Sequence, residues 1–327
     1  MKRTISIVTS VALMIAAIAV LSVPSANTRA QTGGNGFVVS PVRSELTLAP
    51  GKSETVTLTV ENATGATTVA KPIVNDFEPS GDESGQPRIL LDDKAAPTNS
   101  FKSLVGTLPS LELAPGQKKS MDVKITVPGT AGAGGYYGAI RFVSDNGSTN
   151  DKNVALSASV GTIFLVRVEG TLTESLQLVE FTAAKNGSTG RIFINSGEMS
   201  VVTRLKNTGN IHVKPFGRVQ VTDRSGKVVQ EYEFNNTEPR ANVLPNSTRK
   251  FTDNLKPQKW IGKYTITANL GYGTGGSLIT AKNTFWVIPA WFLIAFALLV
   301  VAIAVLGFFL YRKFAPGVTK HKVKARR

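Results

Sequence analysis

Between Lys282 and Arg312 the chain carries 29 consecutive uncharged residues, and from Trp286 to Leu310 nearly every one is apolar. As an α-helix rising about 1.5 Å per residue, that run measures roughly 36 Å, enough to cross a hydrocarbon layer about 30 Å thick with modest tilt. Trp286 and Trp291 at one end and Tyr311 at the other stand where interfacial aromatics belong. Beyond them lie Arg312, Lys313, Lys320, Lys322, Lys324, Arg326 and Arg327, with no acid. Basic flanks stay in the cytoplasm, so Arg312 and Lys313 are the topogenic pair. The expectation is a membrane helix over 285–311 and a cytoplasmic tail over 312–327. That places the remainder of the protein outside the cell membrane.

The N-terminus agrees. Lys2 and Arg3 precede an apolar stretch from Ile5 to Val23, and Thr28 and Ala30 occupy the −3 and −1 positions of a signal-peptidase site. Residues 1–30 therefore read as a signal peptide cleaved after Ala30. Ala26 is a weaker cleavage candidate because Pro24 falls at its −3 position, and an uncleaved signal anchor is the alternative. Either way, residues 31–284 are exported.

This topology changes what the net charge of +15 means. Outside the leader and tail there are 27 basic residues against 22 acidic ones, so the exported part is only +5. The basic tail is explained by topology and by anionic lipid headgroups, which excludes nucleic acid as a partner. There is no cysteine, so stability outside the cell must come from burial rather than disulfides. The roughly 255 external residues suffice for two domains with cores of their own.

Within the exported part, short alternating runs rich in Val, Thr, Ile and Phe are separated by Gly, Pro, Asn and Ser, the pattern of antiparallel sandwiches. Val56, Leu58 and Val60 share one face of a strand, as do Met121, Val123, Ile125 and Val127. Both strands follow similar punctuation: Leu46-Thr47-Leu48-Ala49-Pro50-Gly51 recurs 65 residues later as Leu111-Glu112-Leu113-Ala114-Pro115-Gly116. Pro presets φ at the first turn position and Gly accepts positive φ at the next. Val243-Leu244-Pro245-Asn246 is a third copy with Asn in the Gly place. Domain duplication is one reading; two separate turns within one sandwich is the other, favoured because the sequences after the motifs diverge. The expected organisation is an immunoglobulin-like β-sandwich over 31–170 and a second, membrane-proximal one over 171–284. The irregular stretch Asp76–Ser100 is either a binding arm or disordered.

Catalytic chemistry finds little to work with. His212 is the one exported histidine, with no Gly-x-Ser-x-Gly elbow beside it. Acid pairs at Asp82-Glu83 and Asp92-Asp93 sit in the irregular stretch, where preorganisation for glycoside hydrolysis is poor. Asp145–Asp151 lacks the alternating ligands of a calcium loop and reads as a hairpin connection. The glycine-rich Gly132–Gly138 leads into a strand rather than a helix, so it is no phosphate cradle; its glycines permit a bulge or a close backbone approach. Tyr136 and Tyr137 are core residues or a sugar-stacking platform, and with Arg141 they are the candidate ligand-binding residues. No enzyme, cofactor or metal is expected.

Three features in order support a resemblance. They are the Leu46–Gly51 turn, the run from Pro128 through Gly135-Tyr136-Tyr137-Gly138-Ala139-Ile140-Arg141-Phe142, and the apolar strand Val160–Val168. This order resembles the N-terminal domain of the WxL-interacting proteins of Gram-positive bacteria, and the second sandwich, single membrane helix and basic tail are similar as well. The resemblance implies a distal domain that binds peptidoglycan and a second domain that docks a surface protein. The chain is then expected to be a single-pass cell-envelope scaffold contacting wall polymer, a surface protein and the bilayer. A membrane-tethered chaperone-like assembly factor, pairing strands at a sheet edge, is the alternative.

Overall fold

The computed structural model describes residues 36–91, 94–144 and 159–314. The leader with its Ala30 site, Asp92-Asp93, the Asp145–Asp151 stretch and the tail beyond Phe314 lie outside the described residues.

The alternating runs form strands and bury the faces that their pattern marks. In the first sandwich, β1 (Phe37–Ser40), β3 (Ser53–Asn62) and β7 (Lys118–Thr126) form one sheet. Strands β2 (Arg43–Leu48), β9 (Val160–Val168), β8 (Gly134–Ser144), β4 (Thr68–Pro79) and β5 (Pro87–Ile89) follow one another in the other, where β6 (Leu111–Leu113) also pairs with β4. Leu58, Val60, Val123, Ile125 and Val127 are wholly buried between the sheets, each contributing about 1.5–3 kcal/mol by leaving water. The glycines of β8 serve close approach: a Cβ on Gly138 would lie 2.1 Å from the Phe101 ring and 2.7 Å from the Asn75 carbonyl.

The second sandwich repeats the plan. One sheet holds β11 (Ser188–Gly190), β10 (Leu176–Lys185), β13 (Met199–Asn207) and β16 (Thr248–Asn254). The other holds β12 (Ile192–Ile194), β18 (Ser277–Ile288), β17 (Gly262–Tyr272), β14 (Phe216–Thr222) and β15 (Val228–Phe234). In both domains the opening strand crosses between sheets: β1 pairs antiparallel with β3 while β2 pairs parallel with β9, and β10 pairs antiparallel with β13 while β12 pairs parallel with β18.

The Pro-Gly motif resolves accordingly. Its first two copies are separate turns of the first sandwich, with Gly51 at φ 79° and Gly116 at φ 70°. The third copy, with Asn246 at φ 55°, occupies in the second domain the place that the second copy has in the first. A shared clasp proves the equivalence. The Asn62 amide donates to the Ala66 and Leu113 carbonyls at 2.8 and 2.9 Å, and the Asn207 amide donates to those of Ile211 and Val243 at 2.8 and 2.9 Å. Each Oδ1 accepts a backbone N–H two residues on. Both asparagines are fully buried, so these bonds satisfy carbonyls that water cannot reach.

One boundary moves. The apolar helix α1 spans Ala290–Phe314, not 285–311, because residues 285–288 belong to β18. Phe285 and Val287 lie in the second core beside Trp260 and Tyr264, and Trp286 pairs with Lys263 on one side and Ile192 on the other. Pro289, which has no N–H, ends the ladder, and the Asn195 side chain accepts the first helical N–H at Ala290, 2.7 Å away. The helix carries 25 residues, none buried against the protein, and is apolar and long enough to cross a membrane.

Candidate functional site

Strands β8 and β9 are apolar on both faces. Inward, Tyr136, Ile140, Phe142, Phe164, Val166 and Val168 complete the first core. Outward, Tyr137, Ile163 and Leu165 meet Phe77 of β4 and Leu244 of the second domain in a small cluster of their own. The outer face of this sheet is therefore where the two sandwiches join.

Tyr137 pins that junction. Its hydroxyl accepts the His212 backbone N–H at 2.8 Å and lies 3.2 Å from His212 Nδ1, with the two rings edge-on at 5.7 Å. Which of the hydroxyl and Nδ1 donates is set by the imidazole tautomer, because the phenol oxygen has a second lone pair free. Burial above all, joined by the Lys214, Arg43 and Arg167 charges against the opposing pull of Glu45, lowers the His212 pKa to about 4. Burial also pushes the Tyr137 phenol well above its usual range. Alongside, the Gly135 N–H donates to the Asn210 carbonyl at 3.1 Å.

The stretch after Asp76 is an ordered arm where it is described. Asp76 is completely buried and accepts from Ala96 N, Ser100 Oγ and Lys102 N at 2.7, 2.6 and 2.9 Å, which folds the segment back onto the sheet. Strands β4 and β5 form a hairpin whose tip is organised by Asp82. Hydrogen bonds from Ser80 and Ser84 hold that carboxyl down at about 2. The tip reaches the second domain: Glu83 takes both Nε and Nη2 of Arg204 on β13, at 2.7 and 2.5 Å, and its carbonyl accepts the Lys250 N–H at 2.9 Å. The Arg204 pKa rises in response, through the Glu83 hydrogen bond above all.

Between the arm, the outer face of β2 and β9, and the second domain lies a cleft of about 300 Å³. Arg43 and Arg249 enter it from opposite domains, with Gln86 and Asn242 among its polar walls and Phe77 and Leu165 on its floor. The Arg249 guanidinium packs over Gly85, stands 5.3 Å from the Phe251 ring and donates to the Asn242 carbonyl at 2.8 Å. Burial and the nearby Arg43 charge lower its pKa. Arg43 Nη2 contacts Glu45, while its Nε is buried without a hydrogen-bond acceptor. Burial opposes ionisation of Glu45, but the hydrogen bond from Lys214 and the Arg43 and Lys214 charges outweigh it and hold its pKa below the usual value. Arg43 thus shares its carboxylate with Lys214, while Arg249 is held by the Asn242 carbonyl and the Phe251 ring. An unpaired buried donor costs about 1–3 kcal/mol, so the cleft favours an anion.

The residues singled out in the sequence fall elsewhere. Tyr136 is 5% exposed, inside the first core, and its hydroxyl donates to the Gly132 carbonyl at 3.1 Å. Tyr137 is consumed by the junction. Arg141 donates from Nε and Nη2 to Asn75 Oδ1 at 3.0 and 2.8 Å and from Nη1 to Ser159 at 2.9 Å. A stacking platform made of Tyr136 and Tyr137 is therefore not presented to solvent. Arg43, Glu45, Glu83, Arg204 and Arg249 were missed. The available signal was the largely apolar character of both faces of β8 and β9, interrupted only at Arg141, Thr162 and Arg167, which marks sheet faces covered on both sides.

No family model matches the chain and no curated protein matches it. Among solved structures it is similar to the class 5 fimbriae chaperone CfaA, with 11% identity over 76% of this chain and 99% of that one and a TM-score of 0.39. The E. coli chaperone DraB shares 16% identity over 76% of this chain and 96% of that one, with a TM-score of 0.34. Likenesses this remote carry nothing about activity.

Proposed function

We propose that the protein is a membrane-tethered, non-enzymatic assembly factor that holds an extended segment of a surface protein by its carboxylate. The observation that carries this reading is Arg43, which lines the cleft with Arg249 and whose Nε is buried without a hydrogen-bond acceptor while Nη2 is held by Glu45. Arg43 also opens β2, the last strand of its sheet, and Val42 before it is 70% exposed. An extended peptide laid along that edge gains main-chain hydrogen bonds, while a terminal carboxylate in the cleft sets the register. The surface-protein partner that the WxL-interacting resemblance implies fits this reading, with the helix as anchor and the ectodomain on the outer side. Wall polymer has no comparable support once Tyr136 and Tyr137 are accounted for.

The test uses the full chain in nanodiscs and an alternating Thr-Val nonapeptide with either a free or an amidated C-terminus. The free acid should bind about tenfold tighter, a difference of about 1.4 kcal/mol, and Arg43→Gln should erase the preference. Equal binding of acid and amide, or tighter binding of purified peptidoglycan than of either peptide, refutes the proposal.

A further inference from the structure

The end of the second domain that meets α1 is bolted to the helix rather than hung from it. Pro289 alone separates β18 from α1. The Asn195 N–H donates to the Ile288 carbonyl at 2.9 Å while its side chain caps Ala290, and the Trp286 N–H donates to the Arg191 carbonyl at 2.7 Å. The strand therefore delivers this end to within a few residues of the apolar helix, at about 3.3 Å per residue.

Register shows what else is at that end. Ile192 and Ile194 of β12 lie opposite Trp286 and Ile288, the start of β17 lies opposite Val287, and Thr222 before the β14–β15 turn lies opposite Thr265. Phe193 points into the core, so Ile192 and Ile194 point out; they are 66% and 53% exposed. Ile261 is 56% exposed and Trp286 45%. Ile192 and Ile194 sit on a short edge strand, a position where a soluble domain normally carries charge, with Trp286 on the strand beside it and Ile261 just before β17. Around it, Arg191, Arg224, Lys227, Lys256, Lys259 and Lys263 are all exposed, against the acids Glu198 and Asp223.

We infer that this end of the second domain is seated in the bilayer surface, with Ile192, Ile194, Ile261 and Trp286 at the boundary of headgroups and acyl chains and the basic residues on anionic headgroups. The patch is continuous with a helix of membrane-spanning length, and its charge complements an anionic surface. The cleft opens where the second domain meets the first, at the far end of β17 and β18, so seating would hold the cleft at a fixed height and direction above the membrane.

The inference rests on α1 crossing the bilayer, and the experiment separates the two. The chain has no cysteine, so Ile192→Cys, Ile261→Cys, Val42→Cys and Val301→Cys each place one fluorophore in the full-length protein. The variants are reconstituted in phosphatidylcholine–phosphatidylglycerol nanodiscs containing lipids spin-labelled at a shallow or a deep acyl position. Labels at 192 and 261 should be quenched about twofold or more by the shallow probe, the label at 301 by the deep probe, and the label at 42 by neither. Quenching at 301 with 192 and 261 behaving like 42 overturns the seating but not the anchor. No quenching at 301 overturns the anchor itself. Concentration-dependent self-quenching at 192 and 261, in place of lipid quenching, would assign the patch to a second copy of the chain and overturn the inference as well.

Discussion

Two buried titratable groups in the second domain pull its acid response in opposite directions, and separating them tests the electrostatics of the junction. Burial lowers His212 from an ordinary 6.5 to about 4. Between those values the unfolded chain binds a proton that the folded chain refuses, so stability falls as pH drops through that window. Burial raises Asp253 from 3.8 to about 6, although Tyr232 donates to it at 3.3 Å. Between 3.8 and 6 the folded chain binds the extra proton, so Asp253 adds stability as pH falls. From pH 7 to pH 5, linkage makes the histidine cost about 2 kcal/mol and the aspartate return about 1 kcal/mol. The wild type should therefore lose only about 1 kcal/mol or less over that range. Asp253→Asn should expose the histidine slope and lose about 2 kcal/mol, while His212→Gln should gain about 1 kcal/mol on acidification. Chemical denaturation of the purified chain in detergent at a series of pH values reads all three. Parallel profiles for the wild type and both variants would refute the assignment of these protons.

Other expectations follow from single contacts. Asn207→Ala should cost about 3 kcal/mol by stranding the Ile211 and Val243 carbonyls, and Asn62→Ala a similar amount in the first domain, read as a lowered melting temperature. Gly116→Ala meets open space and should cost only the strain of positive φ, about 1–2 kcal/mol. Gly138→Ala must displace Phe101 and should cost about 3 kcal/mol, so equal melting of the two glycine variants would contradict the close approach. Glu83→Gln breaks a half-exposed pair worth at most about 1 kcal/mol; it should speed amide exchange in residues 80–89 while leaving the global melt nearly unchanged. Removing the chain from Pro289 onward should release a folded soluble ectodomain. Removal from Phe285 onward takes Phe285 and Val287 out of the core and should leave it unfolded by circular dichroism.

The sandwich class, the inward faces of β3 and β7, the β14–β15 hairpin and the existence of an apolar helix of membrane-spanning length were all legible in the chain. Each rests on local periodicity or turn chemistry: Val56-Leu58-Val60 alternates whatever it packs against, and Asp223-Arg224-Ser225-Gly226 turns by its own hydrogen bonds. The helix boundary was not legible. Phe285-Trp286-Val287-Ile288 reads equally well as the start of a membrane segment or the end of a buried strand, and only pairing with β12 and β17 chose between them. The junction was equally hidden. Tyr137 meets His212 across 75 residues and Glu83 meets Arg204 across 121, separations over which no periodicity survives. Whether a tyrosine stacks on a sugar or pins two domains, and whether an arginine is solvated or buried beside another, depends on what the fold brings against it. The chain by itself determined which segments could be strands, turns and helix, because those follow from backbone geometry over a few residues. Tertiary structure alone decided the charge and shape of the cleft, because desolvation and charge pairing act through space.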